Sequence, residues 1–145
     1  ILWPTDFSEN AAKALPLVTS LTQKYGAEIH ILYVLKDYPE FGASYGYSDP
    51  DDYEKMRQWE QETAEKRLDE ICEKFEQSGI EATPHVYVGD TTEEIERAAK
   101  DRKSTLVVMG SSGKGSWVER WIGSTPRDIA EKSPYPALII PYGDQ

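Results

Sequence analysis

Three features of this chain predict an α/β fold, a five-stranded parallel sheet with helices on both faces. Strand-like and helix-like segments alternate strictly along the 145 residues, five of the former and four of the latter. The strand segments are nearly continuous apolar runs, the pattern of strands covered on both faces rather than half in water. The length is that of one ordinary domain, roughly 100–150 residues, and we read residues 1–145 as a single unit. A chain of this size buries about 70% of the surface its unfolded form exposes, so its core needs no disulfide or metal.

The elements follow in order. Ile1-Leu2-Trp3 is a short apolar strand ending at Pro4. Ser8 or Asp6 caps the next helix, whose inner face carries Ala11, Ala14, Leu15, Val18, Leu21 and Tyr25 at helical spacing. Pro16 sits inside that helix and is expected to remove one hydrogen bond and bend it. Gly26 is its stop. Glu28 to Leu35 is a second strand, rich in branched and aromatic residues. Residues 37–52 are dominated by Gly, Pro, Asp and Ser and read as a loop long enough to point to function or motion. Tyr38, Tyr45 and Tyr47 within it suit a lid, a partner surface or plain loop packing. A long helix from about Tyr53 to Ser78 follows, with Ala64, Leu68, Ile71, Cys72 and Phe75 as its inner stripe and pairs such as Glu62–Lys66 on its wet face.

Gly79 ends that helix, and Ile80 to Val88 is the third strand, turning at Gly89-Asp90. Thr91-x-x-Glu94 reads as a capping box, and Ile95, Ala98, Ala99 and Arg102 continue the helix at the right period. Thr105 to Gly110 is the fourth strand. Residues 111–123 are rich in Gly and Ser. Ser124-Thr125 then caps a helix with Pro126 at its first position, running to about Lys132. Ala137 to Ile140, flanked by Pro136 and Pro141, is the last strand.

Charge narrows the function. Lys and Arg number 16 against 26 Asp and Glu, a formal net charge of −10 at pH 7. Nucleic-acid binding relies on the opposite excess, and so does a polybasic membrane patch. No apolar run approaches the roughly 20 residues of a membrane helix. The one cysteine, Cys72, cannot form an internal disulfide and reads as a small core hydrophobe. The chain opens on Ile1 and shows no secretory leader, so the cytoplasm is the expected compartment. His30 and His85, far apart along the chain, read as core or edge residues rather than catalytic or metal-binding groups.

Ligands of such sheets sit beyond the carboxyl ends of the strands, where strand order reverses. The search therefore narrows to Pro4-Thr5-Asp6, Leu35-Lys36, Gly89-Asp90 and the stretch from Gly110. Met109-Gly110-Ser111-Ser112-Gly113-Lys114-Gly115 leaves a strand, and Gly123-Ser124-Thr125-Pro126 opens a helix. Glycines let a backbone approach a phosphate, and a helix start offers free N–H groups and partial positive charge. Ser124 and Thr125 add hydroxyl donors. Lys114, Arg120 and Arg127 add cations to an acidic chain. No P-loop string occurs, and Gly113-x-Gly115-x-x-Val118 lacks the third glycine of the dinucleotide motif. By spacing alone these glycines read equally well as turns. Asp6 reads equally as a helix cap. Trp117 and Trp121 either pack over the loop or line an interface.

Gly110-x2-Gly113-x9-Gly123-Ser124 resembles the glycine pattern of the universal stress protein family, in its ATP-binding branch. Ile1-Leu-Trp-Pro-Thr-Asp6-Phe-Ser-Glu-Asn-Ala looks like that family's first strand and turn, Tyr33-Val34 like its second strand end, and Pro136 to Pro141 like its closing strand. The resemblance spans essentially the whole chain. It implies a single-domain Rossmann-like sheet ordered 3-2-1-4-5, with ATP between the first and fourth strands. On these residues, Asp6 and Val34 would hold the adenine, with Pro4, Thr5 and Met109 beside it. Gly110, Ser112, Gly113 and Lys114 would line the ribose and phosphates, Gly123, Ser124 and Thr125 would wrap the phosphate tail, and Mg²⁺ would bridge the phosphates. The local chemistry agrees, since Asp6 can accept from an exocyclic amine and apolar Val34 and Met109 suit an aromatic ring.

The resemblance further implies a homodimer through the last strand, Ala137, Leu138, Ile139 and Ile140, which would hide an apolar edge. The expected function is an ATP-dependent switch in stress response, its state read by a protein partner. One alternative is a slow Mg²⁺-dependent ATPase, for which no clear general base is seen. The other is an interaction module without nucleotide, which the intact glycine spacing opposes.

Overall fold

The computed structural model of the chain describes residues 1–36, 50–111 and 124–141. Its elements are β1 (Leu2–Pro4), α1 (Glu9–Ala12), α2 (Leu15–Tyr25), β2 (Ile29–Leu35), α3 (Pro50–Gln77), β3 (Ala82–Val88), α4 (Thr91–Asp101), β4 (Val107–Gly110), α5 (Ser124–Lys132) and β5 (Ala137–Ile140). Every strand pairing is parallel, in the order β3-β2-β1-β4-β5. The chain walks outward from β1 to β3, returns past β1 and finishes at β5. With right-handed crossovers that reversal puts α1, α2 and α3 on one face and α4 and α5 on the other.

Two apolar cores record this. Alternation along the strands sends Trp3, Ile29 and Ile31 to one face, where they meet Val18 of α2 and Leu68, Cys72 and Phe75 of α3. Leu2 and Leu32 face the other way, against Ile95, Ala98 and Ala99 of α4 and Ile129 of α5. Each of the Val, Leu, Ile and Phe side chains among them contributes about 1.5–3 kcal/mol when fully buried. Trp3 lies edge-on to Phe75, ring centroids 6.4 Å apart. Its indole N–H donates to the Ala11 carbonyl at 3.3 Å, so the ring's one polar atom is satisfied inside the core.

Several boundaries differ from expectation, each for a local reason. The first helix does not bend around Pro16. It ends at Ala12, and a second helix starts at Leu15 with Pro16 in its first turn, where a missing N–H has no carbonyl to reach. Ser8, not Asp6, caps α1, its Oγ accepting from the Ala11 N–H at 3.1 Å. The break rotates the inner face, leaving Tyr25 70% exposed, and Thr22 is buried instead. Gly26 stops α2 in the left-handed conformation (φ 64°), donating to the Thr22 carbonyl. The long helix begins at Pro50, which moves residues 50–52 out of the expected loop. At α4 the cap is Asp90, whose Oδ1 accepts from the Glu93 N–H at 3.1 Å. Thr91 is already helical, and Glu94 turns instead to Arg97, which donates to it through Nε at 2.8 Å. Arg102 falls at the C-cap and is exposed, and β4 begins at Val107 rather than Thr105.

Candidate functional site

The central strand is the shortest, and that shapes the carboxyl edge of the sheet. Pro4, the last residue of β1, lies opposite Leu32, while β2 runs on to Leu35. Leu2 lies opposite Val107, which sets Pro4 level with Met109, one residue short of the end of β4. The middle of the sheet therefore carries a notch, flanked by the end of β2 and the end of β4. It lies where strand order reverses, between β1 and β4.

The turn that leaves β1 is pegged by side chains. The Thr5 N–H donates to the Leu32 carbonyl at 2.8 Å, extending the sheet by one bond. Thr5 Oγ1 accepts from the Phe7 N–H at 3.1 Å, Asp6 Oδ1 accepts from the Ser8 N–H at 2.9 Å, and Ser8 then caps α1. These residue types offer the backbone a local alternative to sheet or helix. The chain reverses at Phe7, which sits at φ 64°. A left-handed conformation costs a non-glycine residue about 1–2 kcal/mol. The compensation is visible: the Phe7 ring stacks on Tyr33 with centroids 4.9 Å apart, and the Arg67 guanidinium lies 4.4 Å over its face. Tyr33 in turn donates its hydroxyl to Glu60 at 3.1 Å. Burial first, then the Glu60 carboxylate, pushes the Tyr33 phenol up to about 12, so it stays a donor at all physiological pH.

On the other face of the notch, Val34 and Met109 pack against the core around Leu2 and Leu32, Met109 being buried and Val34 partly so. Gly110 follows. A Cβ there would lie 2.8 Å from both the backbone carbonyl and the side-chain nitrogen of Asn10 in α1. The packing of α1 on β4 therefore demands glycine at this position, whatever binds nearby. The Ser111 N–H carries the β4–β5 ladder one bond further, to the Ile140 carbonyl at 2.8 Å. Helix α5 runs back along the sheet from β4 to β5, so its start, with Ser124 exposed and Thr125 partly buried, belongs to this same edge.

Of the site residues expected from sequence, Pro4, Thr5, Asp6, Val34, Met109 and Gly110 come together at the notch, and Ser124 and Thr125 open the helix at its edge. Ser112, Gly113, Lys114 and Gly123 lie outside the described residues, as do Arg120, Trp117, Trp121 and Tyr38, Tyr45 and Tyr47. Phe7, Tyr33, Arg67 and Glu60 escaped sequence reasoning. The available signal was the Thr5-Asp6-x-Ser8 run, whose hydroxyl and carboxylate spacing announces a tight turn with Phe7 at its reversal. His30 and His85, far apart along the chain and read as core or edge residues, meet across β2 and β3 at 2.9 Å.

An open cleft of about 570 Å³ lies at the opposite, amino edge, lined by Thr22, Gln23, Gly26, Glu28, Gly79 and Glu81 among others. It gathers the ends of α2 and α3 with two carboxylates. Helix C-termini and carboxylates repel an anion, so this cleft does not compete with the notch as a phosphate site. Among the described residues no group of three or more His, Cys, Asp or Glu is arranged to hold a metal ion, and no helix is long and apolar enough to cross a membrane.

The relatives agree with this architecture. Universal stress protein MJ0577 of Methanocaldococcus jannaschii is 29% identical, over 97% of this chain and 93% of its own. The solved structure of MJ0577 superposes with a TM-score of 0.84 at 27% identity, covering 99% of this chain and 96% of that one. Universal stress protein YxiE of Bacillus subtilis is 28% identical over 93% of each chain. Residues 1–141 match the model of the Universal stress protein family, nearly the whole length, and the chain belongs to that family.

Proposed function

We propose that this chain is an adenine-nucleotide-binding regulator of the stress response, of the family's ATP-binding branch, and acts as a nucleotide-dependent switch. The observation that carries the reading is the notch at the end of β1. One of its walls is apolar (Val34 and Met109) and its floor is polar (Thr5 and Asp6), which suits a flat aromatic base bearing an exocyclic amine. In this reading Asp6 and Val34 hold the adenine beside Pro4, Thr5 and Met109. Gly110, Ser112, Gly113 and Lys114 line the ribose and phosphates, and Gly123, Ser124 and Thr125 close on the phosphate tail. Mg²⁺ favours phosphate oxygens and water over all-protein cages, so it would arrive with the nucleotide. Two solved universal stress proteins of similar fold, one in complex with cAMP and one from Archaeoglobus fulgidus in complex with dAMP, have TM-scores of 0.63 and 0.65 at 19% and 18% identity. They make an adenine nucleotide the first ligand to test.

The only two histidines bond to each other across β2 and β3. His30 is level with the first residue of β1, and His85, two strands away, is level with its last. They do not choose between a switch and an ATPase.

The same reading includes a homodimer through β5. Bonds from the Val107 N–H to the Pro136 carbonyl and from the Ser111 N–H to the Ile140 carbonyl turn the even-numbered residues of β5 toward β4. The backbone groups of Ala137 and Ile139 therefore face outward, and Leu138 is 40% exposed. At the other edge of the sheet the Gly89 N–H donates to Leu35 and Glu81 accepts from Ile29, which turns even-numbered residues of β3 outward. Pro84 stands among them and presents no N–H, a blunted edge. Among the described residues pairing is thus open at β5 and obstructed at β3.

The test is chromatography of nucleotide released by denaturing protein purified without added ligand, paired with thermal melting in ATP and Mg²⁺. Retained adenine nucleotide, or a melting shift lost in Gly113→Val, supports the reading. A folded protein with neither overturns it. Turnover of labelled ATP separates switch from enzyme.

A further inference from the structure

His30 lies opposite Thr83, and His85 lies opposite Leu32, so the two histidines are diagonal neighbours on the face covered by α4. His30 Nδ1 is 2.9 Å from His85 Nε2, and His30 Nε2 is 3.0 Å from Glu28 Oε1. The ring centroids are 5.1 Å apart, so the rings meet nearly end to end. Their nitrogens aim at each other. Two ligands of one metal ion would instead converge on a third point.

The proton positions follow from donor and acceptor chemistry. The Glu28 carboxylate only accepts, so Nε2 of His30 carries a hydrogen and donates it. Nδ1 of the neutral His30 ring is then an acceptor, and His85 donates through Nε2. An incoming proton can be stored without breaking either bond. It lands on His85 Nδ1 while the shared hydrogen passes from His85 Nε2 to His30 Nδ1. The imidazolium then sits on His30, against the Glu28 carboxylate. A further proton leaves both rings fully protonated, and two N–H groups face each other.

We propose that Glu28, His30 and His85 form a proton-storage site that accepts one proton and refuses a second, so that strong acidification parts His85 from His30 and loosens the edge strand β3 from β2. The surroundings grade the charge along this chain. Glu28, just before β2, accepts from His30 Nε2. Arg102 at the end of α4 opposes a positive charge on His85. Tyr87 of β3 stands edge-on to His85 at 6.2 Å, its hydroxyl donating to Asp101 at 3.4 Å and its ring covered by Arg97 at 4.4 Å. Burial first, then Arg102 and His30, holds the His85 imidazole down to about 4. The site lies away from the notch and uses none of its residues.

The experiment follows both imidazoles by NMR from about pH 8 to about pH 3, together with hydrogen exchange of the β3 amides. Two steps separated by more than about one pH unit are expected, as for any strongly coupled pair. Below the lower step the His85 and Tyr87 amides, which pair inward to β2, should exchange at least about tenfold faster. In His30→Gln the His85 midpoint should rise. Coincident midpoints in the wild type, or an unmoved His85 midpoint in His30→Gln, would overturn the proposal. Should that variant fail to fold, His30→Asn serves instead, and an unmoved His85 midpoint there is equally fatal.

Discussion

The two ends of the sheet spend their polar side chains in opposite ways. At the carboxyl edge, Thr5, Asp6 and Ser8 all bond to backbone N–H groups within three residues of themselves. They fix a backbone shape, and that shape forces Phe7 into a left-handed conformation held by the Tyr33 ring and Arg67. Toward the amino edge, Glu28, His30 and His85 bond side chain to side chain, across two strands. They fix a proton count rather than a shape. The first region should therefore respond to steric change and ligand, and the second to pH.

The largest effect should come from filling the close approach beneath the notch. Gly110→Val puts a side chain where only 2.8 Å separates a Cβ from the Asn10 backbone, which a rotamer change cannot relieve. Overpacking of this kind costs about 3 kcal/mol, measurable by urea denaturation, and it should damage the site too. Phe7 separates strain from stacking. Phe7→Ala keeps the left-handed strain and loses the ring, while Phe7→Gly loses the ring but relieves the strain. The glycine variant should be the more stable of the two by about 1 kcal/mol, the reverse of the usual order.

The pH response belongs to the other region. The folded chain holds His85 down near 4, so the unfolded chain takes up a proton that the folded one refuses. This contribution is fully present above the ordinary imidazole value near 6.5 and is lost as pH falls from there through 4. Discounted for partial exposure it is about 1–2 kcal/mol, read as the difference in acid-induced loss of stability between wild type and His85→Gln. The smallest effect tests a helix start. Asp90→Ala should cost about 1 kcal/mol and Thr91→Ala close to nothing, since only Asp90 accepts from the Glu93 N–H.

Much of the architecture was legible in the sequence because apolar periodicity is a local signal. The five strands, the stripe of α3 and the parallel sheet all follow from it. What was misread depended on one competing residue at a boundary. Pro16 fits the first turn of a helix better than its interior, so one expected helix became two. Asp90 took the cap from Thr91 because Asp90 is itself still extended (φ −71°, ψ 132°) while Thr91 is already helical. At the site, Thr5, Asp6 and the glycines could be found by composition, but the meaning of Gly110 could not. Its closeness to Asn10 is a tertiary fact, joining residues a hundred positions apart. The histidine pair was hidden for the same reason. Only the register between β2 and β3, offset by two residues, brings His30 to His85.

The central claim is that the gap above β1, between Val34 and Met109, accepts an adenine ring. Isothermal titration with ATP and Mg²⁺ tests it most directly, comparing wild type with Val34→Asp, which places a charge on the apolar wall. The account predicts saturable heat for the wild type and at least about a tenfold weaker Kd for the variant. Equal affinity in both, with both confirmed as folded, would contradict it.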